Sequence, residues 1–205
     1  MSATFLFPDT SCFQPDMKET ARYLGYSRTI SPDQDVSDLM EKAAREMKEI
    51  MKPQAVFDLY ELSLETEGEK SKISFADVEL HSRDLGTNLK ECKKLALLAA
   101  TIGPQVDALI RRHSSLTPVY ASILQATGAM YIEELVDLVN NEIKKIALSQ
   151  GLKTRPRYSP GYGDIPLEVQ KDFFRLLPCT RIGLTLMDTL IMAPEKSVTA
   201  FTGLY

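Results

Sequence analysis

The sequence predicts an α+β domain in which an antiparallel or mixed sheet packs against several helices, one of them long and central. Three observations lead there. Helical and extended patterns segregate along the chain instead of alternating strictly, which disfavours a doubly wound sheet. The run Leu95-Ala96-Leu97-Leu98-Ala99-Ala100-Thr101-Ile102 has the length and the lack of polar interruption of a buried strand, although its alanines also suit a helix. A helix start at Thr117-Pro118 and a stop at Gly151 bracket a segment long enough to be the spine of the domain. With 205 residues and 44% apolar content, residues 1–205 make one domain with a core of its own.

In chain order, a short helix is expected over 16–24. A longer one is expected from Ser31 to Lys52, with Ser31 as N-cap, Pro32 in the first turn and Gln34 closing a capping box. Val36, Leu39, Met40, Ala43, Met47, Ile50 and Met51 recur at three- and four-residue intervals and mark its buried face. The methionines of that stripe read as core filling. From Ala55 the pattern alternates, and a second extended stretch runs from Ile73 to Leu80, giving a hairpin or two adjacent strands. Gly103-Pro104 opens a helix to about His113. Ala121, Ser122, Ala126, Thr127, Gly128 and Ala129 in the long helix leave room for another backbone or for a ligand. The segment 153–166 has three prolines and two glycines, so it is a loop. Asp164 is placed to cap the helix that follows from Pro166 and buries Val169, Phe173, Leu176 and Leu177. The stretches 181–189 and 197–205 read as strands joining the earlier ones.

A net charge of −4 provides no basic footprint for nucleic acid. No apolar run approaches the ~20 residues of a membrane span, and the first twelve residues lack a secretory pattern, so a cytoplasmic protein is expected. Cys12, Cys92 and Cys179 are too few and too far apart for an iron–sulfur cluster or a disulfide framework. His81 and His113 add little to a metal site, so no metal ligands and no catalytic residues are assigned. There is no phosphate-binding Gly-x-x-x-x-Gly-Lys-Ser/Thr loop, no Gly-x-Gly-x-x-Gly after a strand and no nucleophile elbow beside a histidine. Glu133-Glu134, and Asp172 with Glu168, read as solvated helix charges.

The loop is the one segment with ligand chemistry. Arg157, Pro160, Gly161, Tyr162, Gly163 and Asp164 combine a planar cationic fork, aromatic surface, a carboxylate and two backbone positions free of Cβ atoms. A zwitterionic sulfonium would match these groups. The arginine can pair with its carboxylate, a ring or Asp164 can favour its positive centres, and the glycines allow close main-chain approach. Composition alone leaves a purely structural turn as the alternative.

The ordered set Arg157-x-x-Pro160-Gly161-Tyr162, Pro166, Phe173, Leu176-Leu177, Ile182-Gly183-Leu184-Thr185 and Met192-x-Pro194-x-x-Ser197-Val198 resembles the C-terminal part of the activation domain of cobalamin-dependent methionine synthase. The stretch from Leu95 through Val106-Asp107 to Ile132-Glu133-Glu134 is similar to compact stand-alone members of that family, so the likeness lies in 91–205 and is weak over 1–90. The resemblance implies that the ligand loop, 154–166, holds S-adenosylmethionine through Arg157, Gly161 and Tyr162, with Pro160, Gly163 and Asp164 as neighbours. It further implies an accessory role in reductive methylation of cob(II)alamin. The cobalamin would be carried by a partner methionine synthase or another corrinoid protein, and the electron would come from a flavodoxin-like donor. An interaction subunit that kept the fold without the ligand, or an independent small-molecule methyltransferase, are the competing readings.

Overall fold

A computed structural model describes residues 3–27 and 29–205. Its main sheet has six strands: β1 (Thr4–Leu6), β2 (Gln54–Glu67), β3 (Lys70–Phe75), β4 (Val78–Ser82), β5 (Lys94–Thr101) and β8 (Ser197–Leu204). The order is β4-β3-β2-β5-β8, every pairing is antiparallel, and β1 lies beside the start of β2 with Phe5 opposite Val56. A separate two-residue pair joins β6 (Thr185–Leu186) to β7 (Met192–Ala193). The helices are α1 (Met17–Tyr23), α2 (Gln34–Ile50), α3 (Arg83–Asn88), α4 (Pro104–Leu116), α5 (Pro118–Ser149) and α6 (Gln170–Leu176).

The middle strand explains its own sequence. Ala96, Leu98 and Ala100 of β5 enter one cluster with Phe13, Met40, Met47, Tyr131 and Val136, which come from the α1, α2 and α5 side. Leu95, Leu97 and Ala99 enter a second cluster with Ile73, Leu85, Phe173 and Ile182 on the opposite face. Both faces of the sheet are covered, so Leu95 to Ala100 are apolar at every step instead of alternating. This removes the helical alternative for 95–102.

The 32 residues of α5 span about 48 Å and lie along the first face. Its small residues let neighbours close in. The stem of Lys196 crosses the helix at Gly128, where an added Cβ would stand 3.1 Å from Cε, and the Tyr131 hydroxyl donates to the Ala44 carbonyl at 3.0 Å. Ala43 and Ala44 of α2 are buried here, as the apolar stripe of that helix requires.

Several local expectations are corrected. The N-cap of α2 is Asp33, whose carboxylate accepts from the Val36 amide at 2.9 Å; Gln34 bonds Asp38 instead of closing a box with Ser31. The stretch 73–80 is not one strand but the turn of a hairpin, reversed at Ala76 with φ +48°. Residues 181–189 hold the end of a 3₁₀ turn (Cys179–Ile182) and the short β6, and do not join the main sheet. The short elements β1 and α3 leave no periodic trace, since three strand residues and six helix residues fall short of two full repeats of their patterns.

Candidate ligand cleft

The loop after α5 is built on the open edge of β8. Lys153 and Tyr205 exchange amide bonds of 2.8 and 3.0 Å, Arg155 N donates to Gly203 O at 2.9 Å, and Tyr158 and Phe201 exchange bonds of 3.0 and 2.7 Å. The segment therefore acts as an irregular edge strand, and an edge is where Pro156 is tolerated. Its carbonyl accepts from Asn88 Nδ2 at 3.2 Å, which ties the same segment to α3.

The chain then turns tightly. Gly161, at φ +85°, donates its amide to Ile165 O at 3.1 Å, and Ile165 N returns to Tyr162 O at 3.1 Å. Gly163 sits at φ +53°, where a Cβ would collide with the Tyr158 hydroxyl and the Asp84 carboxylate. Both a left-handed backbone and close approach thus require glycine at 163. Asp164 caps a helix, but not the one that follows it. Its carboxylate accepts from the Ser82 hydroxyl and from the amides of Arg83 (2.8 Å) and Asp84 (3.3 Å), at the start of α3. The neighbouring 3₁₀ turn, Leu167–Val169, starts without a side-chain cap.

Those bonds, with the Ser82 hydroxyl foremost, hold the Asp164 carboxyl below the ordinary carboxylate range. A group with a depressed folded value contributes fully above its unfolded value and loses that contribution as the pH falls through the folded one. Acid titration followed by tyrosine fluorescence is expected to show the loop detaching from α3 only below the ordinary carboxylate range. Asp164→Asn should remove that step.

Between this loop and α5 lies a cleft of about 460 Å³, lined by Glu133, Asp137 and Asn140 on one side, Val198 at the base, and Pro156, Arg157, Tyr158, Ser159 and Tyr162 on the other. Arg157 bridges the walls: Nη1 donates to Asp137 at 2.5 Å and Nη2 to Glu133 at 3.0 Å. Nε and the outer hydrogens of its fork have no protein acceptor among the described residues. Two carboxylates face one guanidinium, so the cleft carries a net charge of −1. It continues into a second depression where Asp16, Glu19 and Glu134 join Glu133 and Asp137, with Arg22 the cation there. Burial pushes the Glu134 carboxyl up.

Of the residues singled out from sequence, Arg157 and Tyr162 line the cleft, and the Tyr162 ring is 69% exposed at its mouth. Pro160 is buried, and with Gly161, Gly163 and Asp164 it shapes the turn instead of lining the cleft. The opposite wall was missed. Glu133 is not merely a solvated helix charge, and with Asp137 and Asn140 it recurs at the i, i+4, i+7 spacing of one helix face, the signal that marks this wall.

No family model matches the sequence, and no curated protein matches it. Among solved structures, the crystal structure of the MetH reactivation domain bound to AdoHcy matches with a TM-score of 0.70, over 99% of this chain and 78% of that chain. The chain has the fold of the MetH reactivation domain. Sequence identity to that reactivation domain is 13%, so the likeness is one of backbone architecture. It spans the weakly matching residues 1–90 as well as 91–205. Among the described residues, no helix of this reactivation-domain fold is long and apolar enough to cross a membrane.

Proposed function

We propose that the chain binds S-adenosylmethionine in the cleft between α5 and residues 156–162 and serves as a reactivation component for a partner corrinoid enzyme. The observation that carries this reading is the charge pattern of the cleft. Its net −1 complements a ligand that bears a carboxylate, an ammonium and a sulfonium and is therefore net +1. The free N–H groups of Arg157 suit the ligand carboxylate, Glu133 and Asp137 suit its cationic centres, and the exposed Tyr162 ring offers a face to the sulfonium or the base. A volume of about 460 Å³ falls within the ~300–1,000 Å³ usual for small-molecule sites. The structural neighbour is described as bound to AdoHcy, which adds support.

In this role the protein orients the donor methyl, and its contribution is proximity. The partner's cob(II)alamin takes one electron from a flavodoxin-like donor to become cob(I)alamin. The sulfonium then gives its methyl to cobalt, leaving a neutral thioether as product. Loss of the sulfonium charge weakens the match to the cleft, which favours product release. A cytoplasmic site of action goes with this chemistry.

One observation favours a second reading. The Arg157 ion pairs with Glu133 and Asp137 also lock the loop onto α5, as an interaction subunit without ligand would need. Calorimetry separates the two: saturable binding of S-adenosylmethionine supports the first reading, and its absence supports the second. Glu133→Gln is expected to weaken binding of the sulfonium about ten-fold and that of the thioether less, because one charge is removed within a few ångströms of a cation. Equal losses for both ligands would contradict the proposed electrostatics.

A further inference from the structure

Resting on that reading of the cleft, we infer that Asn140 is a specificity-determining residue that reads the carboxylate of the bound amino-acid moiety, and that Thr202 is its positioning residue. Asn140 lies on α5, is 9% exposed and lines the cleft. Its Oδ1 accepts from the hydroxyl of Thr202 at 3.3 Å, and Thr202 is fully buried in β8. That bond turns the amide so that Nδ2 is the atom left for the cleft, and Nδ2 has no protein acceptor among the described residues. Nδ2 is thus a donor open to the cleft, free to bond an oxygen of a bound ligand.

The surroundings specify which oxygen. Asn140 follows Asp137 by three positions, so their Cβ atoms are about 5–6 Å apart on one helix face. Asp137 is itself 2.5 Å from Nη1 of Arg157. One ligand carboxylate therefore lies within reach of both Nδ2 and the free edge of the guanidinium. A ribose hydroxyl would use the amide but not the fork, and a cationic group would be repelled from both. The amide is neutral, so it selects for the carboxylate without cancelling the negative charge that suits the sulfonium.

The cleft should accordingly distinguish S-adenosylmethionine from its decarboxylated amine. Asn140→Asp keeps the acceptor for Thr202 and the side-chain size, but replaces the donor with a negative oxygen. Calorimetry on the full chain is expected to show S-adenosylmethionine binding weakened about ten- to hundred-fold, with binding of the decarboxylated sulfonium retained. Thr202→Val frees the amide from its buried partner without touching the cleft lining. It should cause a several-fold loss for S-adenosylmethionine and none for the decarboxylated form, and it serves if Asn140→Asp fails to fold. Unchanged S-adenosylmethionine binding, or equal losses for both ligands, in a folded variant would overturn the inference while leaving the proposed function in place. A wild-type chain that binds neither ligand would overturn the proposed function and this inference with it.

Discussion

Arg157→Ala is expected to cost about 1.5–3 kcal/mol of S-adenosylmethionine binding, roughly ten- to hundred-fold in affinity, while the protein stays folded. The binding loss has two sources. The ligand carboxylate forfeits its charge-assisted partner, and Glu133 and Asp137 lose the cation that bridges them at 3.0 and 2.5 Å. With the guanidinium gone, the two carboxylates repel the ligand carboxylate from the cleft. Stability should change by about 1 kcal/mol or less, because ion pairs open to solvent contribute little and Asp137 is exposed. Tyr158 also keeps the loop on β8 through its backbone pair with Phe201. Arg157→Lys restores the charge but not the planar fork, so it should recover only part of the affinity. Calorimetry beside a thermal melt measures both quantities. A large drop in melting temperature would instead make Arg157 a folding residue.

Phe201→Ala should show the opposite balance, with a stability loss of about 3–5 kcal/mol. The ring is fully buried, and its centroid is 4.7 Å from that of Phe173 and 5.9 Å from that of Phe75. It therefore joins α6 and β3 through β8, in the second core cluster. For a domain of this size the melting temperature should fall by roughly 10 °C. Binding by the folded variant should change little, because the backbone bonds of residue 201 to Tyr158 survive the truncation and the ring does not line the cleft. Thermal melts and calorimetry on the same variant check the two effects. Wild-type stability would mean that the second cluster does not hold the fold together.

The parts of the molecule legible in the sequence are those whose signal is local. Residues 95–101 read as a strand because both sheet faces are covered and Leu95 to Ala100 are apolar without a break. The bounds of α5 read correctly from Thr117-Pro118 and Gly151, the latter at φ +72°. The loop itself was visible from its prolines and glycines, because those residue types restrict the backbone wherever they occur.

What local pattern could not provide is which segment a side chain serves. Asp164 has a good capping side chain, and spacing assigns it to the next helix; its acceptors face α3, some 80 residues earlier. Ser31 and Asp33 are both sound N-caps two residues apart, and only the entry angle of the chain selects Asp33. The cleft wall was missed for the same reason. Glu133 and Asp137 look like solvent charges on a helix surface until Arg157, 24 and 20 residues later, folds back against them.

The most direct measurement is a crystal structure of the protein grown with S-adenosylmethionine. The ligand is predicted to lie between α5 and residues 156–162, its carboxylate against Arg157 and Asn140 and its sulfonium on the side of Glu133 and Asp137. Ligand density elsewhere, or a cleft still empty at saturating concentration, would contradict the account.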